Sequence, residues 1–234
     1  MKALLYKEFK LAMHPICYVF IFAFPLMILI PAYPLAVGFI YVLTCYPILF
    51  LGANKGQQSN DLLYSTLLPV RKKDIVLARI FTVTIMQFTY IAVMCALYPL
   101  ALLVQQNATE SAKNAAEASN AMVPGLGLDG FVSVLAIALV GFALADLIFF
   151  PIYYKKGKSI VMSTLLTILG FIVYLAIFTI ALPYIPGLEG YKHLLCESGV
   201  GVQFAFLGGA LVIYAVLHFI VYKISAKRLE KVDF

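Results

Sequence analysis

Asp146 is the acidic residue that lies deep within a long apolar run of this chain. It stands nine residues before Lys155, which corresponds to about 13 Å along a helix. A carboxylate in apolar surroundings needs a partner or water, and two interpretations follow. Asp146 is either a gate or binding site for a cationic group, or it pairs structurally with a nearby Lys or with the hydroxyl group of a Tyr. We favour the structural pairing.

Histidines are the other residues that could bind a metal or relay a proton. His14 and His218 have no carboxylate or second histidine three or four residues away, so we interpret both as interfacial side chains. His193 has Glu189 and Glu197 four residues to either side, and on a helix these side chains would share a face that could hold a cation. A glycine within that stretch weakens the helix, which favours a solvated charge cluster. The four cysteines stand singly, and we predict no metal site.

The segment Gly157-Lys158-Ser159 imitates the end of a nucleotide-binding P-loop. The position five before Gly157 is Ile152 rather than glycine, and no strand is predicted before it. We interpret this segment as a solvated basic turn. A membrane-embedded enzyme would need paired acids, Glu/His clusters or Ser/Lys geometry within the apolar runs, and a single acid does not supply them. We therefore predict that this chain is not itself an enzyme.

Composition indicates which elements must position these residues. The chain has 234 residues, of which 63% are hydrophobic and 12% are charged. The apolar residues form runs of roughly 16 to 25, close to the length that crosses about 30 Å of hydrocarbon as a helix. We predict an all-α membrane protein with a single transmembrane domain of six helices. The net charge of +6 does not indicate a nucleic-acid partner, because no folded, water-exposed domain is left to carry a basic face.

The predicted spans and connections divide the chain as follows. Residues 1–15 mix apolar and charged side chains in a pattern typical of a helix in the membrane interface. Spans one and two occupy residues 16–53, at about 16–31 and 35–53. The remaining spans are 75–104, 131–154, 160–182 and 202–222. A cytoplasmic segment lies at 54–74, outer loops lie at 105–130 and 183–201, and a cytoplasmic tail lies at 223–234.

The distribution of Lys and Arg predicts the direction of these spans. One set of loops and helix ends holds 15 of the 17 basic residues, and the opposite loops hold only Lys113 and Lys192. By the positive-inside rule, the basic side is cytoplasmic. An even number of spans then places both termini in the cytoplasm. The membrane lipid is therefore the first partner that the sequence predicts.

The segment 54–74 contains a predicted amphipathic helix. Asp61 suits the positive end of its dipole, Leu62 and Leu67 supply apolar contacts, and Pro69 ends it. Such a helix could dock in a groove on a partner protein. It could equally rest on the lipid surface, held by the basic residues from Arg71 onward against anionic headgroups. From the residues alone, both interpretations stay open.

Two stretches of sequence carry a resemblance to a known family. The segment from Leu68 to Arg79 and the opening from Met1 to Phe9 resemble those of small bacterial ABC-2 type transporter permeases. Among these, the chain is most similar to the permease subunits of exporters that expel amphipathic phenol-soluble modulin peptides. The resemblance implies a type V exporter-like fold and a location in the bacterial plasma membrane.

The resemblance also implies partners. In that family, the segment between spans two and three holds a coupling helix that contacts a separate ABC ATPase subunit, which binds the ATP and magnesium. Residues 183–201 would form an outer re-entrant loop, and the permease would act as a homodimer or paired with a second permease. The implied ATPase contacts are Asp61, Leu62, Tyr64, Leu67, Pro69, Arg71 and Lys72.

Tyrosines within the spans could line a conduit for an amphipathic peptide, because each offers an apolar face and one hydroxyl group. Packing or interfacial anchoring is the alternative role. The function that we expect is ATP-driven export of such a peptide, with drugs or lipid-linked molecules as alternative cargo and a membrane-embedded enzyme as the alternative class. The candidate lining residues are Tyr33, Tyr41, Tyr46 and Tyr174.

Overall fold

The computed structural model describes residues 2–12, 16–29, 70–107, 114, 130–156, 160–177 and 199–231. Within these ranges every regular element is helical, which confirms the predicted all-α class for this part of the chain. Predicted span two, most of segment 54–74 and most of both outer loops lie outside the described residues. The α-helices are α1 (Lys2–Lys7), α2 (Ile16–Ala23), α3 (Lys72–Gln106), α4 (Phe131–Lys156), α5 (Ile160–Ala176) and α6 (Val200–Glu230).

Irregular helical segments follow the first two helices. A π-helical segment, Glu8–Ala12, continues α1, and a 3-10 helix, Pro25–Leu29, follows α2. Predicted span one is therefore not a uniform α-helix. Pro25 accounts for the change, because it has no N–H to donate and its ring clashes with the preceding turn. The 3-10 helix packs against α3.

Three helices among the described residues are long and apolar enough to cross a bilayer, namely α3, α4 and α6. They contain 35, 26 and 31 residues and include the predicted spans 75–104, 131–154 and 202–222, with α6 continuing eight residues beyond the last of these. At 1.5 Å per residue, α3 and α6 are about 50 and 45 Å long, which exceeds the thickness of the hydrocarbon layer. Their ends therefore project beyond it.

Side-chain contacts give the relative direction of α3 and α4. Residue numbers fall along α4 as they rise along α3, so the two helices are antiparallel. The contacting pairs are Arg79 with Tyr153, Gln87 with Asp146, Tyr90 with Phe142, and Tyr98 with Phe131.

The helices α4 and α6 run in the same direction. Asp146 contacts His218, and further along both helices the carbonyl oxygen of Pro151 accepts a hydrogen bond from Arg228. Together with the antiparallel α3, this arrangement brings the start of α3 and the ends of α4 and α6 to one end of the bundle. Lys72, Lys73, Lys155, Lys223 and Lys227 belong to these helix ends, and we call this end the basic end.

The core of the described structure lies around α4. In its most apolar stretch of 18 residues, α4 is 67% buried, whereas α6 is only 17% buried. A close approach of α5 to α4 depends on Gly141, because a Cβ atom there would lie 2.7 Å from Cε2 of Phe171. In contrast, most apolar side chains of α6 are exposed and suit contact with lipid or with another protein.

Candidate functional site: buried polar clusters in the helix bundle

A buried cluster of charges joins the N-terminal segment to α3 and α4. The Nε and Nη2 atoms of Arg79 donate to the two carboxylate oxygens of Glu8 at 2.8 and 3.1 Å, and Nη1 donates to the hydroxyl oxygen of Tyr153 at 3.2 Å. Lys7 Nζ lies 3.4 Å from Glu8 Oε1. We call these four residues the Glu8 cluster. Glu8 and Arg79 are only 3% and 5% exposed, so each offsets part of the free-energy cost of burying the charge of the other.

Local structure explains how the Glu8 cluster forms. Glu8 begins the π-helical segment that continues α1, and α1 packs against α3. Arg79 lies about two turns inside α3, beyond the exposed first residues of the helix. A guanidinium group at this depth needs a planar acceptor, which the Glu8 carboxylate provides through two parallel hydrogen bonds. The cluster therefore ties α1 to the beginning of α3.

Two further contacts join helix ends at the basic end. Lys73 Nζ lies 3.2 Å from Glu230 Oε1, with both side chains about half exposed, so this pair contributes little to stability. The other contact is the hydrogen bond of 2.5 Å from Arg228 Nη1 to the carbonyl oxygen of Pro151. A displacement of the first turns of α3 would therefore disturb its contacts with α1, α4 and α6.

A second buried polar cluster lies further inside the bundle. Asp146 is fully buried, and its Oδ2 atom accepts a hydrogen bond of 2.9 Å from Gln87 Nε2. Nε2 of His218 lies 3.0 Å from the same oxygen. The hydroxyl group of Tyr214 donates to Gln87 Oε1 at 2.5 Å. We call these four residues the Asp146 cluster, and they come from α3, α4 and α6.

An apolar cavity of about 600 Å³ lies among α4, α5 and α6, toward the end opposite the basic end. Its polar groups include Ser133 and the hydroxyl group of Tyr174, which donates a hydrogen bond of 3.0 Å to the carbonyl oxygen of Ile137. Small residues of α6, namely Ala205, Gly209 and Ala210, leave the space open. The cavity can accommodate apolar groups and offers them few hydrogen-bond partners.

Four of the predicted site residues belong to the described part of the chain, and they lie in different parts of the helix bundle. Arg71 is exposed immediately before α3, and Lys72 is its first residue. Tyr174 lines the apolar cavity, and Asp146 belongs to the Asp146 cluster. Their predicted roles stay predictions. The other predicted site residues lie outside the described part of the chain: Asp61, Leu62, Tyr64, Leu67, Pro69, Tyr33, Tyr41 and Tyr46.

Two described side chains contact the carboxylate of Asp146. They are Gln87 and His218, and the expected Lys or Tyr hydroxyl partner stays a prediction. Sequence spacing along one helix gives no carboxylate near His218, because Asp146 lies on a different helix. Among the residues that the structure describes, no group of three or more His, Cys, Asp or Glu side chains could hold a metal ion.

Sequence reasoning also missed the pairing of Glu8 with Arg79. The two residues are 71 positions apart. We counted Arg79 with the basic residues of the cytoplasmic side and placed Glu8 in the interfacial segment 1–15. One signal was available, because Arg79 follows four residues of an apolar run and is too far inside α3 to be assumed solvated. A charge in that position needs an acid, and Glu8 was among the few acidic residues on the same predicted side.

Comparison with known proteins gives one match. A family model described as ABC-2 family transporter protein matches residues 3–230 of this chain. No curated protein and no solved structure matches it.

Proposed function

Because this chain belongs to the ABC-2 family of transporter proteins, we propose that it is the permease of an ATP-driven exporter of amphipathic peptides. Family membership makes it an integral membrane protein and the transmembrane component of an ABC transporter. The family is a transport component and is not itself catalytic, and it implies an ABC ATPase as a partner. Export, peptide cargo and bacterial origin belong to the proposal.

The Glu8 cluster is the observation that supports a mechanical role. Segment 54–74 would engage the ATPase through Asp61, Leu62, Tyr64 and Leu67. Since α3 begins at Lys72, movement of that segment would displace the first turns of α3. The bidentate pair of Arg79 with Glu8 would carry the displacement to α1, and the bond to Tyr153 would carry it to α4. ATP and magnesium would bind to the partner subunit and not to this chain.

The cargo path is proposed from the surface of α6 and from the apolar cavity. A single chain of six spans is too narrow for a wide conduit, so two copies would form the path. The exposed apolar side chains of α6 would face lipid or the second copy. The apolar face of an amphipathic peptide would contact the cavity beside Tyr174. In this arrangement six spans cross the plasma membrane, and both termini and the basic end are cytoplasmic.

The proposal is tested by reconstitution with an ABC ATPase encoded beside this chain. We expect the two proteins to copurify and ATP hydrolysis to increase when an amphipathic peptide is added to the vesicles. Leu62→Asp and Tyr64→Asp should abolish the stimulation because they place charge on the proposed contact. Lys231→Asp, which alters an exposed residue at the basic end, is the matched control and should retain it.

Three outcomes would contradict the proposal. The first is purification without any ATPase, and the second is full peptide transport by the Leu62→Asp and Tyr64→Asp variants. The third is stimulation by drugs or lipid-linked molecules but not by peptides, which would retain the permease function and reject the peptide cargo.

A further inference from the structure

Two lysines near the end of α6 lie on the face of the helix that points away from the bundle. Lys223 and Lys227 are four residues apart, so their side chains share one face and are separated by about 6 Å along the helix axis. Both are exposed, whereas Val221 and Ser225 on the opposite face are buried. Like charges at this spacing repel each other, so the pair of lysines favours an anion beside it.

No carboxylate from the described part of the chain neutralises either ammonium group. The ion pairs formed there do not include Lys223 or Lys227, and the nearby Glu230 contacts Lys73 instead. Lys223 contacts the ring of Phe219, with Nζ 4.6 Å from the ring centroid. Because Phe219 lies one turn earlier on α6, the ammonium group leans back toward the apolar part of the helix. A counter-charge for this group must therefore reach the edge of the apolar surface.

The same face of α6 continues away from the lysines as an apolar surface. Phe219, Val216 and Val212 precede Lys223 at intervals of three or four residues, and they are 57%, 53% and 64% exposed. Helical spacing places these side chains in one row with the two lysines. A row of apolar side chains that ends in two cations is complementary to a molecule with a long apolar chain and an anionic head.

Charge complementarity favours a lipid over a second copy of this chain as the occupant of this face. Two copies that cross a bilayer in the same direction, related by a two-fold axis along the membrane normal, present the same end of α6 to each other. Contact through this face would bring each lysine of the pair close to its counterpart, and these like charges repel. An anionic phospholipid carries the opposite charge and has acyl chains that match the apolar row.

We infer that this face of α6 is a binding site for an anionic phospholipid, whose phosphate lies between Lys223 and Lys227 and whose acyl chain lies along Phe219, Val216 and Val212. Ammonium groups bind phosphate as point charges, and the phosphate removes the repulsion between the two lysines. The bound lipid fixes the end of α6 to the headgroup layer. This inference requires only an integral membrane protein, so it does not rest on export or on a peptide cargo.

The chain has no tryptophan, which permits a fluorescence measurement at this face alone. Phe219→Trp introduces a single fluorophore and keeps an aromatic ring beside Lys223. The full chain is reconstituted without an ATPase in phosphatidylcholine vesicles that contain increasing fractions of dibrominated phosphatidylglycerol or, for comparison, dibrominated phosphatidylcholine. Bromine quenches tryptophan at short range, so the two quenching curves give the relative affinity of the two lipids for this face. We expect phosphatidylglycerol to bind about fivefold more tightly or better, because each lysine near the headgroups attracts anionic lipid.

Leu169→Trp provides the matched control position. Leu169 is 58% exposed on α5, and the residues four positions to either side, Leu165 and Val173, are also exposed and apolar. A tryptophan at this position should be quenched equally by the two brominated lipids. Equal selectivity at both positions would mean that anionic lipid is enriched around the whole protein, and it would overturn the assignment of a site to α6.

Substitutions in the Phe219→Trp background identify the residues that contact the headgroup. Lys223→Gln/Lys227→Gln should bring the affinity ratio to about one, because glutamine favours helix but carries no charge. Arg71→Gln/Lys155→Gln removes two exposed charges from other segments at the basic end and should retain the preference.

A salt titration keeps the test decisive if the glutamine variant does not fold. Sodium chloride screens exposed lysines, so the preference for phosphatidylglycerol should fall as the ionic strength rises. The inference is overturned if the two lipids quench Phe219→Trp equally, or if the preference persists in Lys223→Gln/Lys227→Gln. It is also overturned if neither lipid quenches, because protein then covers the face. Displacement of the brominated lipid by inorganic phosphate, but not by sodium chloride of equal ionic strength, would assign the lysines to free phosphate instead.

Discussion

Glu8 and Arg79 form a planar, two-bonded ion pair across 71 positions of sequence, with Nε on one carboxylate oxygen and Nη2 on the other. Both residues are buried. A lysine cannot reproduce this geometry, because its ammonium group is a single point charge. The N-terminal segment and α3 therefore cannot shift against each other without breaking both hydrogen bonds.

Removing the acid of this pair should destabilise the protein. We expect Glu8→Ala to lower the free energy of unfolding by about 3–5 kcal/mol, because it removes the carboxylate and the two hydrogen bonds that Glu8 supplies to the buried guanidinium group of Arg79. Denaturation in detergent micelles, followed by circular dichroism, measures the change. Tryptophan fluorescence is not an option because the chain has no tryptophan.

Glu230→Ala is the matched control for that substitution. It also removes a glutamate from an ion pair, but its partner Lys73 is 55% exposed. We expect a loss below about 1 kcal/mol, since water solvates the remaining charge. Equal losses for the two variants would show that burial of the Glu8 pair has no energetic significance.

Arg79→Lys tests the mechanical role of the Glu8 cluster separately from stability. The substitution keeps the charge but loses the two parallel bonds and the reach to Tyr153. In vesicles that contain the ATPase partner, we expect the amount of peptide exported per ATP hydrolysed to fall while hydrolysis continues. Lys73→Arg, at an exposed position of α3, should leave this ratio unchanged. An unchanged ratio in Arg79→Lys would reject the proposed path of force from α3 to α1.

Helix positions could be predicted from sequence because they depend on local composition. The run length of apolar residues indicated a helix at α3, α4 and α6, since a bilayer of given thickness demands a minimum length. The 3-10 helix at Pro25–Leu29 was not predicted, although the proline that explains it was visible. Whether a proline kinks a span or changes its helix type depends on what packs against it, here α3.

Contacts between helices were largely beyond prediction. The pairs Glu8–Arg79 and Asp146–His218 each join different helices, and periodicity along one helix carries no information about the rotation of another. The sequence does indicate that a buried acid such as Asp146 requires a partner. The identity of that partner follows only from how α3, α4 and α6 turn toward each other.

Gly141 allows a test of the packing between α4 and α5. Gly141→Leu places side-chain atoms where the ring of Phe171 lies, and we expect it to lower the free energy of unfolding by about 1–3 kcal/mol or more. Gly208→Leu is the control, because no atom lies within 4 Å of its added Cβ. It should be neutral or slightly stabilising, since leucine favours helix more than glycine does. Similar losses in both would mean that the close approach of α5 is not specific to Gly141.

Filling the apolar cavity tests whether it contacts cargo. Gly209 lines the cavity and its neighbour Gly208 does not, and neither has atoms within 4 Å of an added Cβ. We expect Gly209→Phe to reduce peptide export severalfold, because the added ring would occupy the space that receives the apolar face of the peptide. Gly208→Phe is the control: Gly208 does not line the cavity, so this variant should retain export. Stimulation of the ATPase by peptide should fall in parallel for Gly209→Phe, while hydrolysis without peptide stays the same, since the Glu8 cluster at the basic end is untouched. If both variants exported peptide at the unchanged rate, the cavity would not be part of the cargo path, and the exposed face of α6 would be the surface to test next.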